Sequence, residues 1–379
     1  MRNFGSVIIQ GASTIVAGLL LAAGTGCSAD SGSTPSPSPT PTAPVRVAGS
    51  VVATAGSTNE MDVVVPEEIS ARWTALGSRG TGVELVQVGG DGRASRVPVD
   101  LTGDTAGHVA GLGQQINARD ATSPGRSALA GMDAVKSPAG APVWVFSPLL
   151  DTKDPLSFTE LAFDESPNTV VKSVRRAGRL PKLQGREVTF VVTPVAGEQK
   201  KLSALQVGYQ HAVWEGLARA GGAKKVTFFV GTGTTPGAGT IPAVPIPDPN
   251  DKIDAQQTDA KTTTCTLPSP ALFVSDQAKL IDKQATLKAL KACLPTVDSS
   301  TRITVEGHTS GVSGADNAFT KSLSVRRATE VAALLRELKV PAKNIAKVTG
   351  YGSSRPLVKP SSNPKNRAVV VTFTSTGAG

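Results

Sequence analysis

Short apolar runs alternate with amphipathic stretches through residues 46–231. Val45–Thr54 (VRVAGSVVAT), Gly82–Val88 (GVELVQV), Pro142–Ser147 (PVWVFS), Glu187–Val192 (EVTFVV) and Lys225–Val230 (KVTFFV) are rich in β-branched and aromatic side chains. Several are almost continuously apolar, as strands covered on both faces require. Between them, Pro66–Ala75, Ala106–Arg119, Asn168–Ala177 and Lys201–Ala220 have helical spacing. In the last, Leu202, Leu205, Val213, Trp214 and Leu217 fall roughly on one face. Pro66 suits a first helical position, with Glu67 and Glu68 following in the first turn. Such strand–helix alternation predicts an α/β domain with a parallel or mostly parallel sheet.

A second pattern begins near Cys265. Ala271–Val274 (ALFV) reads as a short strand. Ser275–Leu294 reads as a helix capped by Ser275, with Leu280, Ile281, Leu287, Leu290 and Leu294 at helical spacing. Arg302–Gly307 alternates with Ile303 and Val305 inward. A polar loop, Thr309–Ser322, leads to a helix over Leu323–Leu338, and Ile345–Val348 and Ala368–Phe373 supply further strands. The expected fold is a small α/β sandwich with helices on one face of its sheet. The chain is therefore α/β in both halves.

Two stretches interrupt the patterns. Residues 28–44 (SADSGSTPSPSPTPTAP) hold five prolines and no core-forming run, which favours an extended polyproline-like spacer. Residues 232–264 are rich in Pro, Gly and Thr and read as a linker. The predicted organisation is a signal peptide at 1–26, a spacer at 27–45, an α/β domain at 46–231, a linker at 232–264 and a second domain at 265–379.

Hydrophobic residues make up 39% of the 379 and charged residues 18%, which excludes wholesale disorder and a polytopic membrane protein. The formal charge of +9 is concentrated: residues 265–379 carry 16 Lys+Arg against 7 Asp+Glu, 16 − 7 = +9. Three cysteines and three histidines offer little for a zinc cage, so no metal site is expected.

Arg2 precedes an uncharged stretch, Val7–Ala23, too weakly apolar for a spanning helix and closed by Gly24-Thr25-Gly26-Cys27. This end resembles a bacterial lipoprotein signal, with Gly24 where the family usually has Leu. The resemblance implies lipidation of Cys27 and a membrane anchor of the acyl (diacylglycerol, palmitate) type. In an exported chain Cys265 and Cys293 are expected to form a disulfide, closing a loop worth roughly 3–4 kcal/mol in the chain-entropy model.

Within the middle domain the order of elements resembles, at the level of fold, von Willebrand factor A-type domains. That family's metal motif begins with Asp, whereas Thr54-Ala55-Gly56-Ser57-Thr58 has no carboxylate, so no cation is expected. His211 and His108 have no nucleophile that spacing ties to them, and Asp151 and Asp154 read first as a turn. No catalytic constellation and no cofactor are expected.

In the C-terminal domain, Val305-Glu306-Gly307-His308-Thr309, Leu323-Ser324-Val325-Arg326-Arg327-Ala328, Gly350-Tyr351-Gly352, Pro356 and Asn366-Arg367 follow in order over roughly 105 residues. The set resembles the OmpA-like (OmpA/MotB C-terminal) peptidoglycan-binding domain. The resemblance implies non-covalent binding of the diaminopimelate stem peptide, an Asp after GHT pairing with the ammonium and an Arg forking onto the carboxylate. Carried over, the binding residues are Thr309, Ser310, Arg327, Asn366 and Arg367. Ser310 stands where the family has Asp, and Ala368 where it has a second Arg. The loop is about two residues longer, so the family's Asn falls on Thr320, and Asp316 is the candidate replacement carboxylate. The resemblance gives His308 a structural place at the strand–loop corner.

The function expected is that of a non-enzymatic, cell-envelope lipoprotein, linking membrane and cell wall by binding peptidoglycan. It would be exported and lipid-anchored, facing the periplasm or wall, and export argues against a nucleic-acid partner. The alternative is a degenerate wall domain, with the middle domain serving an envelope protein partner as an interaction or assembly factor.

Overall fold

The computed structural model describes residues 44–375 apart from 59, 119–120, 162, 164, 197–201, 234, 238, 245, 247–253, 260 and 312–316. The signal peptide, Cys27, nearly all of the spacer and Asp316 therefore lie outside the described residues.

The middle region runs β1 (Val47–Thr54), α1 (Glu67–Gly77), β2 (Gly82–Val88), β3 (Ala94–Val99), α2 (Thr105–Asn117), α3 (Ala128–Asp133), β4 (Val143–Ser147), β5 (Thr152–Lys153), β6 (Leu156–Ser157), α4 (Phe158–Leu161), α5 (Pro167–Arg176), β7 (Glu187–Val192), α6 (Ala204–Ala220) and β8 (Lys225–Val230). Six of these strands form a sheet in the order β3-β2-β1-β4-β7-β8. The five apolar runs pair in parallel, and β3 joins β2 antiparallel at the edge. β3 (ASRVPV) is mostly exposed and contains Pro98, which an edge strand tolerates because one row of its backbone groups has no ladder partner.

Both faces of the central strands β1, β2, β4 and β7 are covered, which is why they are predominantly apolar. Val51, Ala53, Leu85, Trp144 and Phe146 pack with Trp73 of α1 and Leu112 and Ile116 of α2. The alternate residues Val52, Val86, Val145 and Phe190 pack with Leu129 and Met132 of α3, Val170 and Val174 of α5 and Trp214 of α6. Fully burying each large side chain contributes roughly 1.5–3 kcal/mol. Trp214 is further fixed by Nε1 donating to Leu149 O at 2.8 Å. Asp154-Pro155 is the turn of the β5–β6 hairpin, as the sequence suggested.

The second sheet comprises β9 (Asp254–Asp259), β10 (Thr262–Pro268), β11 (Thr301–His308), β12 (Ile345–Gly352) and β13 (Ala368–Ser375), in the order β12-β11-β13-β10-β9. Helices α7 (Ser269–Leu272), α8 (Lys283–Cys293) and α9 (Asn317–Glu337) accompany it. Ile303, Val305, Val369, Val371 and Phe373 of the sheet meet Leu290 of α8 and Ala328, Val331, Leu334 and Leu335 of α9 in one core. Cys265 of β10 and Cys293 of α8 are joined by a disulfide, both buried, which ties helix to sheet.

Several boundaries depart from expectation. Ala271–Val274 is not a strand: Pro270 lies in the single turn of α7, which opens at Ser269, and only Phe273 makes a bridge, to Leu280. The helix expected from Ser275 begins at Lys283, with Asp282 as N-cap accepting from Ala285 N at 2.9 Å. Asp276, at φ 54°, cannot continue a right-handed helix, and Ser275 spends its hydroxyl on Phe163 O. α9 starts at Asn317 and absorbs the end of the polar loop.

The stretch 232–264 is bonded at both ends rather than running loose. Its first part lies along residues 58–64, with Val64 N donating to Thr232 O, Asp62 N to Thr235 O and Thr58 N to Ile241 O. Its last part enters β9 and β10, whose Thr-rich sequence suits a strand. Residues 45–379 accordingly form one compact unit.

Candidate functional site

The motif residues converge at one end of the second sheet. β11 delivers Gly307, His308, Thr309 and Ser310; β12 ends in Gly350-Tyr351-Gly352; β13 begins just after Arg367. The glycines have a packing reason. A Cβ at Gly307 would meet Ser324 O at 2.1 Å, and one at Gly350 would meet Val325 N at 2.2 Å, so α9 lies directly against the two strands. Ser324, the Ser of the Leu-Ser motif, locks that contact: its Oγ donates to Lys321 O at 2.7 Å and accepts from Gly352 N at 2.9 Å.

His308 is structural, as expected. Its Nδ1 donates to Arg355 O at 2.9 Å, its ring lies beside Tyr351, and burial pushes its pKa below the ordinary imidazole value. Thr309 is buried and its N–H donates to Gly352 O.

Asn366 departs from expectation. It is fully buried, its Oδ1 accepts from Val358 N, and its Nδ2 donates to the carbonyls of Val358, Pro360 and Ser361. The amide thus organises residues 358–366 instead of facing a ligand. A sequence motif cannot separate these roles, because both demand an Asn at the same position.

Arg327 and Arg367 are deeply placed, 1% and 3% exposed. Arg327 projects from α9, donates from Nε to Gln277 O at 2.9 Å and stacks its guanidinium 5.2 Å above the Phe273 ring. Arg367 donates from Nε to Ser310 Oγ at 2.6 Å. The residue in the family's Asp position therefore touches the motif arginine, although a hydroxyl brings no charge.

The remaining partners of Arg367 come from the middle region. Nη1 donates to Leu161 O, and Nη2 lies 3.6 Å from Glu165 Oε1. Around this contact Asp276 Oδ2 accepts from Ser166 N at 2.8 Å and from Thr169 Oγ1 at 2.9 Å, at the N-terminus of α5, where a carboxylate is favoured. Ser275 Oγ donates to Phe163 O. Glu160, close by, has its pKa raised, first by burial and then by Asp154, against the pull of Arg367. No periodicity in the sequence signals these pairings.

In the middle region the strand ends after β1 and β4 are bridged by a buried cation, Arg126. Its Nε and Nη2 donate to Glu60 Oε1 at 3.0 and 2.6 Å, and its Nη1 to Leu150 O. Asp151 accepts from Ala128 N and Leu129 N and is fully buried; desolvation pushes its carboxyl up to about 7. Among the described residues no group of His, Cys, Asp and Glu could hold a metal ion, and no helix is long and apolar enough to cross a membrane.

Residues 272–369 match the family model described as "OmpA family". The comparison with curated proteins returned no match. Among solved structures, the cell wall anchor of the T6SS from Pseudomonas aeruginosa is 23% identical, with 33% of this chain and 88% of that chain covered and a TM-score of 0.28. The periplasmic domain of Helicobacter pylori MotB is 20% identical over 32% of this chain and 79% of that chain, with a TM-score of 0.26. The OmpA-like domain of FopA1 from Francisella tularensis subsp. tularensis SCHU S4 is 22% identical over 34% of this chain and 86% of that chain, with a TM-score of 0.25.

Proposed function

We propose, from the premise that residues 272–369 form an OmpA-family domain, that the protein is an exported, non-enzymatic envelope component holding peptidoglycan non-covalently. The observation that carries the reading is the contact of Ser310 with Arg367, residues 57 positions apart. It supports convergence of the motif's Asp position and its Asn-Arg position on one point, while Arg327, the arginine carried over as the carboxylate fork, is held by Gln277 O. A guanidinium there suits the carboxylate of a diaminopimelate stem peptide, which it can engage with two parallel hydrogen bonds. Thr309 and Ser310 supply neutral polar groups beside it, and Asp316 is the acidic residue that the sequence offers for the ligand's ammonium.

The test is sedimentation of the full chain with purified diaminopimelate-type peptidoglycan at low and moderate salt. Retention that survives salt and weakens roughly ten- to hundredfold in Arg327→Ala is the expected result, the size of one lost charge-assisted interaction. Retention that salt abolishes and Arg327→Ala leaves unchanged rejects the reading.

The lipid anchor belongs to the same proposal. Acylated Cys27 would hold the chain at a membrane and the Pro-rich spacer would let the folded part reach the wall. Labelled palmitate is expected in the wild-type chain and not in Cys27→Ala, which would also leave the membrane fraction.

A second reading rests on a cavity of about 770 Å³ at the carboxyl ends of β7 and β8, lined by Leu150, Val192, Val207, Gln210, His211 and Val230. Doubly wound sheets bind ligands at such strand ends, which favours the middle region as a second binding module.

A further inference from the structure

Both arginines assigned to the wall ligand are covered, and one strip of the middle region is responsible. At Arg367 the cover is direct: Leu161 O and the Glu165 carboxylate stand at its guanidinium, and Glu165 itself is only 15% exposed. At Arg327 the cover is indirect. Its lid is the segment 273–277 of the same domain, through Gln277 O and the Phe273 ring. That segment is pinned from the other side by Asp276 on Ser166 and Thr169 and by Ser275 on Phe163. Leu161 and Glu165 thus cover Arg367 directly, while Phe163, Ser166 and Thr169 pin the segment that covers Arg327.

The chemistry of the cover resembles that of the ligand. A carboxylate and a carbonyl oxygen are the acceptors a guanidinium fork takes from a stem peptide, and here both come from the chain itself. We propose that the strip carrying Leu161, Phe163, Glu165, Ser166 and Thr169 acts as a built-in competitor for the peptidoglycan stem peptide, so that the wall-binding site opens only when this strip withdraws. The inference rests on the reading of Arg327 and Arg367 as wall-binding residues. It makes the resting chain a closed form whose apparent affinity is reduced by the fraction of molecules that are open. By linkage, a stem peptide that binds the open form must itself loosen the strip. Asp276 touches no proposed ligand position and yet holds the lid down.

The experiment uses the full chain and a soluble diaminopimelate-containing stem peptide. Binding is measured for wild type, Asp276→Ala and Glu165→Gln, each with and without Arg327→Ala. Hydrogen exchange of residues 158–176 is followed in parallel, with and without peptide. The expected result is that Asp276→Ala and Glu165→Gln each tighten binding about tenfold, the scale of one lost charge-assisted contact in the closed form. Arg327→Ala then removes the gain, Asp276→Ala speeds exchange over 158–176 without peptide, and peptide speeds it in wild type.

If exchange rises in Asp276→Ala while binding stays Arg327-dependent and no tighter than in wild type, the competitor is rejected and wall binding stands. Weaker binding in Glu165→Gln also rejects it, making Glu165 a ligand contact. Absence of any Arg327-dependent binding in every background rejects both. Exchange in wild type that peptide leaves unchanged, with binding intact, rejects the competitor without relying on any variant folding correctly.

Discussion

Arg126 in the middle region and Arg367 in the C-terminal domain are equally hidden, each 3% exposed, but their counter-charges are held differently. Glu60 is 2% exposed, lies 2.6 Å from Arg126 and belongs to the same fold, so that pair is sealed into one core. Glu165 is 15% exposed, lies 3.6 Å from Arg367 and reaches it from the other sheet's domain. A buried cation sealed with its counter-charge inside one fold serves as a scaffold. One whose partners come from a neighbouring fold can exchange them for a ligand at the cost of separating two surfaces.

The sharpest way to break this comparison is to remove each carboxylate in turn. Glu60→Ala leaves Arg126 buried without its counter-charge and should cost about 3–5 kcal/mol, against about 1 kcal/mol or less for Glu165→Ala, which water can partly compensate. Urea unfolding measures both. All three tryptophans, Trp73, Trp144 and Trp214, belong to the first sheet's core, so fluorescence follows that region alone. Equal losses would erase the distinction between sealed and exchangeable pairs.

Next in size is the pH response of the sealed end. Asp151 has its pKa raised from 3.8 to about 7 in the folded chain, so between these values the folded state holds a proton that the unfolded state has lost. Its contribution is therefore complete below about pH 4 and declines as the pH rises towards 7, by up to about 4 kcal/mol. Asp151→Asn should flatten that part of the stability profile, and a profile unchanged by the substitution would show that Asp151 is ionised throughout.

The third lies in the domain that carries Arg367. Replacing Cys265 and Cys293 by Ser should destabilise the second sheet by roughly 3–4 kcal/mol while leaving the tryptophan transition of the first where it was. A shifted tryptophan transition would mean that the contacts through Asp276 and Arg367 couple the two sheets more strongly than an exchangeable interface allows.

Much of this could be read from the chain. The apolar runs located all five parallel strands of the first sheet, because strands covered largely on both faces leave few polar positions to blur them. The motif positions Gly307 and Gly350 have a steric reason, since α9 packs so closely on β11 and β12 that a Cβ has no room, and Ser324 has a hydrogen-bonding one. The helix expected from Ser275 was misplaced because its apolar spacing continues through residues that are bent away at Asp276. Asn366 kept the motif letter and yet turned inward to its own loop. β3, mostly exposed and bearing Pro98, has no buried residue to make it stand out.

The sequence by itself determined the α/β class of both parts and the motif that the OmpA family model matches at residues 272–369, because periodicity and close packing are written locally. Only the tertiary structure decided what the motif arginines touch. Arg367 meets Leu161, 206 positions away, and Asp276 meets Ser166, 110 positions away. Contacts of that kind depend on how two folded surfaces dock, and no pattern along one chain encodes the partner of a charge that arrives from another surface.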